Sequence, residues 1–240
     1  MKKIVATIEA RMTSSRLPGK VLMPACGMPM LEILIRRLKK VGQVHEIVVA
    51  TTINTSDDPV VALAEKMGVG CFRGSEEDVL ARVLGAAGQY EADLIVEITG
   101  DCPLVDPVIV GQVIDLYLNT PCDYASNVNP VTFPIGMDAQ VFSAELLARA
   151  DREGKTREDR EHVSWYIRNH PHMKRTNLYA PSQLHWPELG LTLDEMSDYE
   201  LLKNIVEHFS PNLFFSCKDI LDYLRMNPHV LKINQNVARR

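Results

Sequence analysis

Five charged residues stand where a parallel sheet would present its ligand-binding edge: Arg11, Arg16, Lys20, Asp101 and Asp194. The three cations fall within Ala10-Arg11-Met12-Thr13-Ser14-Ser15-Arg16-Leu17-Pro18-Gly19-Lys20, which follows the apolar run at 4–8 after one acid, Glu9. Three hydroxyls and a Pro-Gly pair make this stretch turn. Its side chains either face water, as in any solvated basic loop, or converge on an anion such as a polyphosphate. Asp101 follows a second apolar run, Leu94-Ile95-Val96-Glu97-Ile98, inside a Thr-Gly-Asp-Cys-Pro turn, and Asp194 follows Leu191-Thr192-Leu193. Taken singly, each acid reads first as a cap on backbone N–H groups, Asp194 for a helix beginning near Ser197 or Asp198. Taken together, two acids and a tri-cationic loop at one sheet edge compose a Mg²⁺-nucleotide site. Carboxylates would hold the metal against phosphates while the cations neutralise the remaining charge.

Rival phosphate and catalytic signatures are missing. No Gly-x-Gly-x-x-Gly follows the first run, and Gly19-Lys20 continues with Val21 where a Walker loop needs Ser or Thr. No Gly-x-Ser-x-Gly, His-Glu-x-x-His or kinase signature occurs.

The elements that must position these residues alternate through the first half. Strand patterns at 4–8, 46–52, 69–72 and 94–98 are separated by helix patterns at 29–41, 58–67, 75–90 and 106–118. In the first helix Leu31, Leu34, Ile35 and Leu38 form an apolar stripe, with Arg36, Arg37, Lys39 and Lys40 mostly opposite. Asp58-Pro59 and Asp106-Pro107 read as N-caps followed by proline, and Ser75-Glu76-Glu77-Asp78 as a capping-box-like start. This rhythm predicts right-handed βαβ units on a parallel sheet. It breaks from 120 to 182, where a strand at 138–142, a helix at 143–152, a charged run at 152–161 and a helix ending near His170 form a mixed insertion. A short strand at 191–193 then leads to helices at 197–209 and 217–226, and Ala238-Arg239-Arg240 reads as a frayed end. The reading is a single domain over 1–240: a nucleotide-binding half at 1–119, a substrate-binding or subunit-contact insertion at 120–182, and a return at 183–240.

The bulk properties are those of an ordinary water-soluble protein: 46% hydrophobic and 24% charged residues over 240 positions. A net charge of −5 argues against nucleic acid as a partner, which requires a broad basic face. The five cysteines, Cys26, Cys71, Cys102, Cys122 and Cys217, include no Cys-x-x-Cys pair and read as reduced thiols. Met1-Lys2-Lys3 precedes an apolar run too short for a signal peptide, and no run reaches the length of a membrane span. The expected location is cytoplasmic, with no membrane partner.

At these residues the chain resembles the cytidylyltransferases that activate acidic sugars, the 3-deoxy-manno-octulosonate and acylneuraminate types. The basic loop is similar to their nucleotide-binding loop. Thr99-Gly100-Asp101-Cys102-Pro103-Leu104 is similar to the turn bearing their first Mg²⁺ aspartate, and Leu193-Asp194-Glu195-Met196-Ser197-Asp198 to the second. Arg73-Gly74-Ser75-Glu76-Glu77-Asp78-Val79-Leu80-Ala81-Arg82, Phe133-Pro134-Ile135-Gly136-Met137-Asp138 and Arg160-Glu161-His162-Val163 extend the likeness to the spore coat polysaccharide biosynthesis (SpsF) branch. The chain departs from that branch at Ala139-Gln140, where Val-Glu is usual, and at Glu195-Met196, where Thr-Pro is usual.

The resemblance implies an α/β, Rossmann-like three-layer nucleotidyltransferase (nucleotide-diphospho-sugar transferase) fold, its sheet mostly parallel, with a mixed central insertion. It implies CTP and a sugar acid as substrates, Mg²⁺ as cofactor, a CMP-sugar and pyrophosphate as products, and a homodimer formed through the insertion. Arg11, Lys20, Asp101 and Asp194 would be catalytic, with Asp101 and Asp194 on the metal. Ala10, Arg11, Ser15, Arg16, Lys20, Arg73, Ser75, Asp78 and Gly100 would contact the nucleotide, although Ser75 also reads as a plain N-cap. Asn127, Asp138, Gln140, Arg160 and His162 would meet the sugar, Arg160 by pairing with a carboxylate; Arg160 also reads as part of a solvated charge run and His162 as a helix-surface residue. Two rival readings stay open: a nucleotidyltransferase using UTP or GTP on a sugar-1-phosphate, and a non-catalytic nucleotide-binding protein on the same scaffold. A glycosyltransferase ranks lower, because Asp93 and Asp123 provide no Asp-x-Asp.

Overall fold

The computed structural model describes residues 2–238. Arg239 and Arg240, part of the expected frayed end, lie outside the described residues. β1 (Ile4–Glu9) leads through the basic loop to a small ribbon, β2 (Pro24–Ala25) and β3 (Met28–Pro29), and then to α1 (Met30–Leu38). The alternation continues with β4 (Glu46–Thr52), α2 (Asp58–Lys66), β5 (Gly70–Gly74), α3 (Val79–Gln89), β6 (Leu94–Thr99) and α4 (Pro107–Asn119). The insertion supplies β7 (Tyr124–Ser126), β8 (Gln140–Ser143), α5 (Ala144–Glu153), α6 (Arg157–Glu161), α7 (Trp165–Asn169) and β9 (Arg175–Asn177). Helices α8 (Met196–Phe209), α9 (Cys217–Met226) and α10 (Pro228–Leu231) close the chain.

The main sheet runs β5-β4-β1-β6-β8-β7-β9. Strands β5, β4, β1 and β6 are mutually parallel, and β8 joins β6 antiparallel. After β1 the chain builds outward through β4 and β5, then returns to place β6 on the other side of β1. The order therefore reverses between β1 and β6, and a crevice opens beyond their carboxyl ends, where open α/β sheets take ligands. Side-chain alternation divides the packing. Ile4, Ala6 and Ile8 of β1 join residues of α1, α2 and α4 on one face, while Val5, Val48 and Ile95 join α3, α5 and α7 on the other. Helix, sheet and helix form the three layers.

A further apolar cluster lies beside the sheet, where α8 and α9 pack against Met30 and Ile33 of α1 and against Leu104 and Ile109. Arg37 binds this cluster to the rest. It is wholly buried, contrary to the solvent-facing position its helical spacing predicts. Its guanidinium donates to the carbonyls of Leu104, Val105, Leu213 and Phe215 at 2.6–3.1 Å and lies over the Phe215 ring. Burial pulls its pKa down to about 10, so the charge persists at neutral pH. Met30 and Ile33 are buried too, in the cluster with α8 and α9, so α1 is covered on two sides and the stripe of Leu31, Leu34, Ile35 and Leu38 is only part of what it buries.

The expected strand at 191–193 is not a ladder strand; one isolated bridge, Ile135 to Gly190, precedes it. These residues are instead held by the Leu193 N–H donating to the Asp101 carbonyl at 2.8 Å and by Leu191 bonding Ile135. Two caps shift by a residue or more. Asp78 rather than Ser75 caps α3, accepting from the Ala81 N–H, and Asp57 rather than Asp58 precedes α2. Part of the charged run folds as α6, with a capping box between Thr156 and Asp159.

Candidate active site

The basic loop owes its shape to three ties. Gly19 takes a φ of 74°, a left-handed conformation that only glycine adopts without strain, and its N–H closes the loop on the Met12 carbonyl at 2.8 Å. The Met12 N–H donates to Asp57 Oδ1 at 2.8 Å, while Asp57 Oδ2 accepts from the Thr52 N–H and from both hydroxyls of Thr51 and Thr52. Burial alone would raise the Asp57 pKa, but these donors outweigh it and hold the carboxyl below its usual range. Glu76 forms the third tie. It accepts from Arg11 Nη1 at 3.4 Å, from the Thr13 hydroxyl, and from Asn54 Nδ2 at 2.5 Å.

Across the crevice, the turn after β6 meets the end of β1 at Gly100. Its N–H donates to the Glu9 carbonyl at 2.9 Å, and a Cβ here would stand 2.6 Å from that same oxygen. Only glycine allows the two edges this close. The turn aims Asp101 at the loop. Asp194 arrives from the C-terminal return, with its own N–H and that of Glu195 donating to the buried Asp198 carboxylate at 3.2 and 3.0 Å. Neither Asp101 nor Asp194 caps a helix: Glu195 is the N-cap of α8, in a capping box with Asp198.

Lys20 Nζ lies 3.1 Å from Asp101 Oδ2 and 3.1 Å from Asp194 Oδ1, and Arg16 Nη2 lies 2.7 Å from the same Asp194 oxygen. Burial alone would lower the Lys20 pKa, but the two carboxylates outweigh it and raise it. Burial would likewise raise Asp194, and Lys20 with Arg16 overrides it and holds that carboxyl low. Residues distant in sequence thus form one charged cluster. Both carboxylates face a single cation position, here filled by the ammonium. Among the described residues no group of three or more His, Cys, Asp or Glu side chains gathers to hold a metal unaided. A pair of carboxylates suits Mg²⁺, which takes one or two from protein and the rest from phosphates and water.

The cluster opens into a cavity of about 800 Å³. Of the residues singled out from sequence, Ala10, Arg11, Ser15, Arg16, Lys20, Gly100, Asp101, Asp138, Gln140, His162 and Asp194 line it. Five others lie away from this lining, for physical reasons. Arg73 is committed to Asp58 at 2.7 Å and to the carbonyls of Thr52 and Asn54. Ser75 accepts from the Asp78 N–H in a turn ahead of α3. Asp78 takes the Arg160 guanidinium, which also holds Asp151 at 2.7 Å, so both are engaged in joining α3 to the insertion. Asn127 is buried between the Met137 carbonyl and the Ala139 N–H.

The cavity also has residues that sequence patterns did not single out: Glu9, Arg82, Glu97, Ser164 and Arg168. Glu9 and Glu97 sit inside or next to strands, where a charge reads as an interruption of an apolar run. The signal that could have found them is that a carboxylate in a central strand is costly unless it is used. Burial raises Glu97 to about 7, and raises Glu9 well above its usual value, helped by Glu97 and opposed by Arg82. Burial likewise brings Asp138 to about 7.

A cationic loop and two converging aspartates at the switch point of a mostly parallel α/β sheet define a nucleotidyltransferase class of protein. The cytidylyltransferase family model matches residues 5–210, and the chain belongs to that family of enzymes. It is 34% identical over 95% of its length to the spore coat polysaccharide biosynthesis protein SpsF of Bacillus subtilis, covering 96% of that protein. It is 33% identical to the 3-deoxy-manno-octulosonate cytidylyltransferase of Serratia proteamaculans, over 77% of this chain and 82% of that one. A solved cytidylyltransferase structure from Leptospira borgpetersenii superposes over the full length of both chains, with a TM-score of 0.92 at 34% identity.

Proposed function

We propose that the protein transfers CMP from CTP to a keto-sugar acid of nonulosonic or octulosonic type, with Mg²⁺ as cofactor, giving a CMP-sugar and pyrophosphate for surface-polysaccharide synthesis. One observation carries this reading: Lys20 stands 3.1 Å from both Asp101 and Asp194, with Arg16 beside them, at the mouth of the cavity. The family supports the cytidylyl donor, and the names of the Bacillus and Serratia relatives support an acidic sugar of a polysaccharide pathway.

The reaction joins the acceptor's anomeric hydroxyl oxygen to the α-phosphorus, breaks the bond from that phosphorus to the β-phosphate oxygen, and sheds the hydroxyl proton. It needs alignment and charge neutralisation more than covalent help. Arg11, Arg16 and Lys20 bind the triphosphate and stabilise the charge that grows on the departing pyrophosphate. With Lys20 and Arg16 turned to the triphosphate, Asp101 and Asp194 would be the residues that hold Mg²⁺. That ion supplies Lewis-acid neutralisation of phosphate charge when bound. The backbone at Ala10 and Gly100, with the Ser15 hydroxyl, lines the nucleotide end, while Asp138, Gln140 and His162 line the acceptor end. The protein acts as a cytoplasmic homodimer joined through the insertion at 120–182, where Val131 and Tyr179 expose apolar surface.

Pyrophosphate release measured for CTP, UTP, GTP and ATP, each with 2-keto sugar acids and with sugar-1-phosphates, tests the proposal. Release with CTP and a keto-sugar acid is expected. Release only with UTP or GTP and a sugar-1-phosphate would replace it, and tight CTP binding with no turnover on any acceptor would favour a non-catalytic role.

A further inference from the structure

Asp138 stands at the acceptor end of the cavity on a backbone fastened from both sides. The buried Asn127 amide donates to the Met137 carbonyl at 2.7 Å and accepts from the Ala139 N–H at 2.9 Å, so it brackets Asp138. Gly136 takes a φ of 102° and lies so close to the C-terminal return that a Cβ would stand 2.7 Å from the Leu191 carbonyl group. Only glycine allows that approach, and its N–H donates to Asp138 Oδ1 at 3.3 Å. Just beyond, Gln140 pairs with Glu97 of β6. Asp138 is thereby placed at the carboxyl edge of that strand, beside the turn that carries Asp101.

This anchoring leaves the charge and one oxygen unspent. Among the described residues the Gly136 N–H is the hydrogen-bond partner of Oδ1, and Oδ2 has none. No Lys, Arg or His nitrogen of those residues lies within 4.0 Å, and Arg168 acts on the carboxyl only from farther away. The residue is half-buried and lines the cavity, so Oδ2 is open to it. Other acids of the lining are differently placed. Lys20 bridges Asp101 and Asp194, Glu161 pairs with Arg157 at 3.4 Å, and Glu97 lies deeper, within β6. A carboxylate fixed in place but given no cation is costly unless it is used, and partial burial makes it a stronger base than a solvated one.

Cytidylyl transfer releases one proton, from the acceptor's anomeric hydroxyl. Arg11, Arg16 and Lys20 are already protonated, and Asp101 and Asp194 are committed to the metal. We propose that Asp138 is a further catalytic residue, the general base that takes this proton. Oδ2 accepts it as the hydroxyl oxygen bonds to the α-phosphorus, and the bond from that phosphorus to pyrophosphate breaks with its electron pair leaving on pyrophosphate. The carboxylic acid returns the proton to water when the products leave. Oδ1 stays on the Gly136 N–H throughout, which keeps the side chain aimed. This inference rests on the cytidylyl-transfer reading and adds to it the fate of the proton.

Asp138→Asn tests this, because its amide oxygen can still accept from the Gly136 N–H but cannot take a proton. Pyrophosphate release by wild type and variant is measured with CTP, Mg²⁺ and a 2-keto sugar acid, beside calorimetric binding of that acid in the presence of a non-hydrolysable CTP analogue. In the variant kcat is expected to fall at least about a hundredfold, while acceptor affinity, KM for CTP and the Mg²⁺ concentration for half-activity change less than about threefold. Asp138→Gly should be as slow, and added formate, a replacement carboxylate, should raise its kcat about tenfold or more, where sodium chloride does not. An Asp138→Asn kcat close to that of the wild type, or an Asp138→Gly enzyme that formate leaves as slow as before, would overturn the proposal while cytidylyl transfer stands. A loss confined to acceptor affinity would overturn it in favour of a binding role, and a sharply raised Mg²⁺ requirement in favour of a metal ligand. A wild type inactive with every keto-sugar acid would instead overturn the transfer reading, and this inference with it.

Discussion

At the scale of single residues, Lys20 and Asp101 are expected to matter for turnover far more than for folding. Lys20→Ala removes a cation set between two carboxylates, and Asp101→Asn removes one of the charges it bridges. Each should lower turnover by two orders of magnitude or more, in the range seen when one preorganised electrostatic group is lost. Pyrophosphate release beside an unchanged far-ultraviolet circular dichroism spectrum checks this, and near-normal release would remove that residue from the chemistry. Glu97 should behave in the opposite way toward stability. Its carboxyl is raised to about 7 by burial, so well below the ordinary glutamate pKa it is neutral in both folded and unfolded chains and carries no ionisation penalty. As pH rises the unfolded chain ionises first, and stability is lost progressively until the folded group ionises near 7. Glu97→Gln cannot titrate. The melting temperature of that variant, relative to the wild type, should therefore rise between pH 5 and pH 8, corresponding to a few kcal/mol at most. A constant difference across that range would mean the carboxyl is not held neutral by burial.

At the scale of elements, the parallel half was legible because continuous apolar runs and Asp-Pro starts state their structure locally. The pattern at 46–52 coincides with β4, and that at 217–226 with α9. What sequence could not state was set by distant partners. Arg37 has the spacing of a surface residue, yet it is buried by carbonyls from two loops that are remote in sequence. Leu191–Leu193 is apolar enough for a strand but finds its hydrogen bonds on Asp101 and Ile135 rather than on a sheet edge. Arg160 has the right chemistry for a carboxylate, but neighbouring elements supply Asp78 and Asp151 to it first. The basic loop, by contrast, was legible as a loop, while its anchor Asp57 was hidden beside the more conspicuous Asp58-Pro59. Asp57→Asn turns an amide N–H₂ toward groups that already donate, and should cost on the order of 1–3 kcal/mol. Because the native carboxyl titrates below its ordinary value, this stabilisation is complete above pH ~4 and disappears as pH falls through the lowered pKa. Urea unfolding of wild type and variant should therefore differ at pH 7 and converge toward pH 2. An equal gap at both pH values would contradict a charge-assisted anchor.

At the scale of the whole molecule, the candidate site joins three separate parts of the chain: the loop after β1, the turn after β6, and the return carrying Asp194. Ligand binding should therefore stabilise the fold as a unit. Adding CTP with Mg²⁺ at a hundredfold excess over the dissociation constant is expected to stabilise the native state by about 2.7 kcal/mol, visible as a raised melting temperature. The rise should shrink when the metal is chelated and vanish in Lys20→Ala. Light scattering should report twice the 27.0 kDa chain mass if the insertion joins two copies. The most direct measurement is of the product itself. Wild type, Asp101→Asn and Asp194→Asn are each incubated with CTP, Mg²⁺ and a 2-keto sugar acid, and the phosphorus species are followed by nuclear magnetic resonance. The expected result is a CMP-sugar phosphodiester and pyrophosphate appearing one-to-one with the wild type and at least a hundredfold more slowly with either variant. CTP left intact by the wild type with every keto-sugar acid, or an aspartate variant as fast as the wild type, would contradict cytidylyl transfer at this cluster.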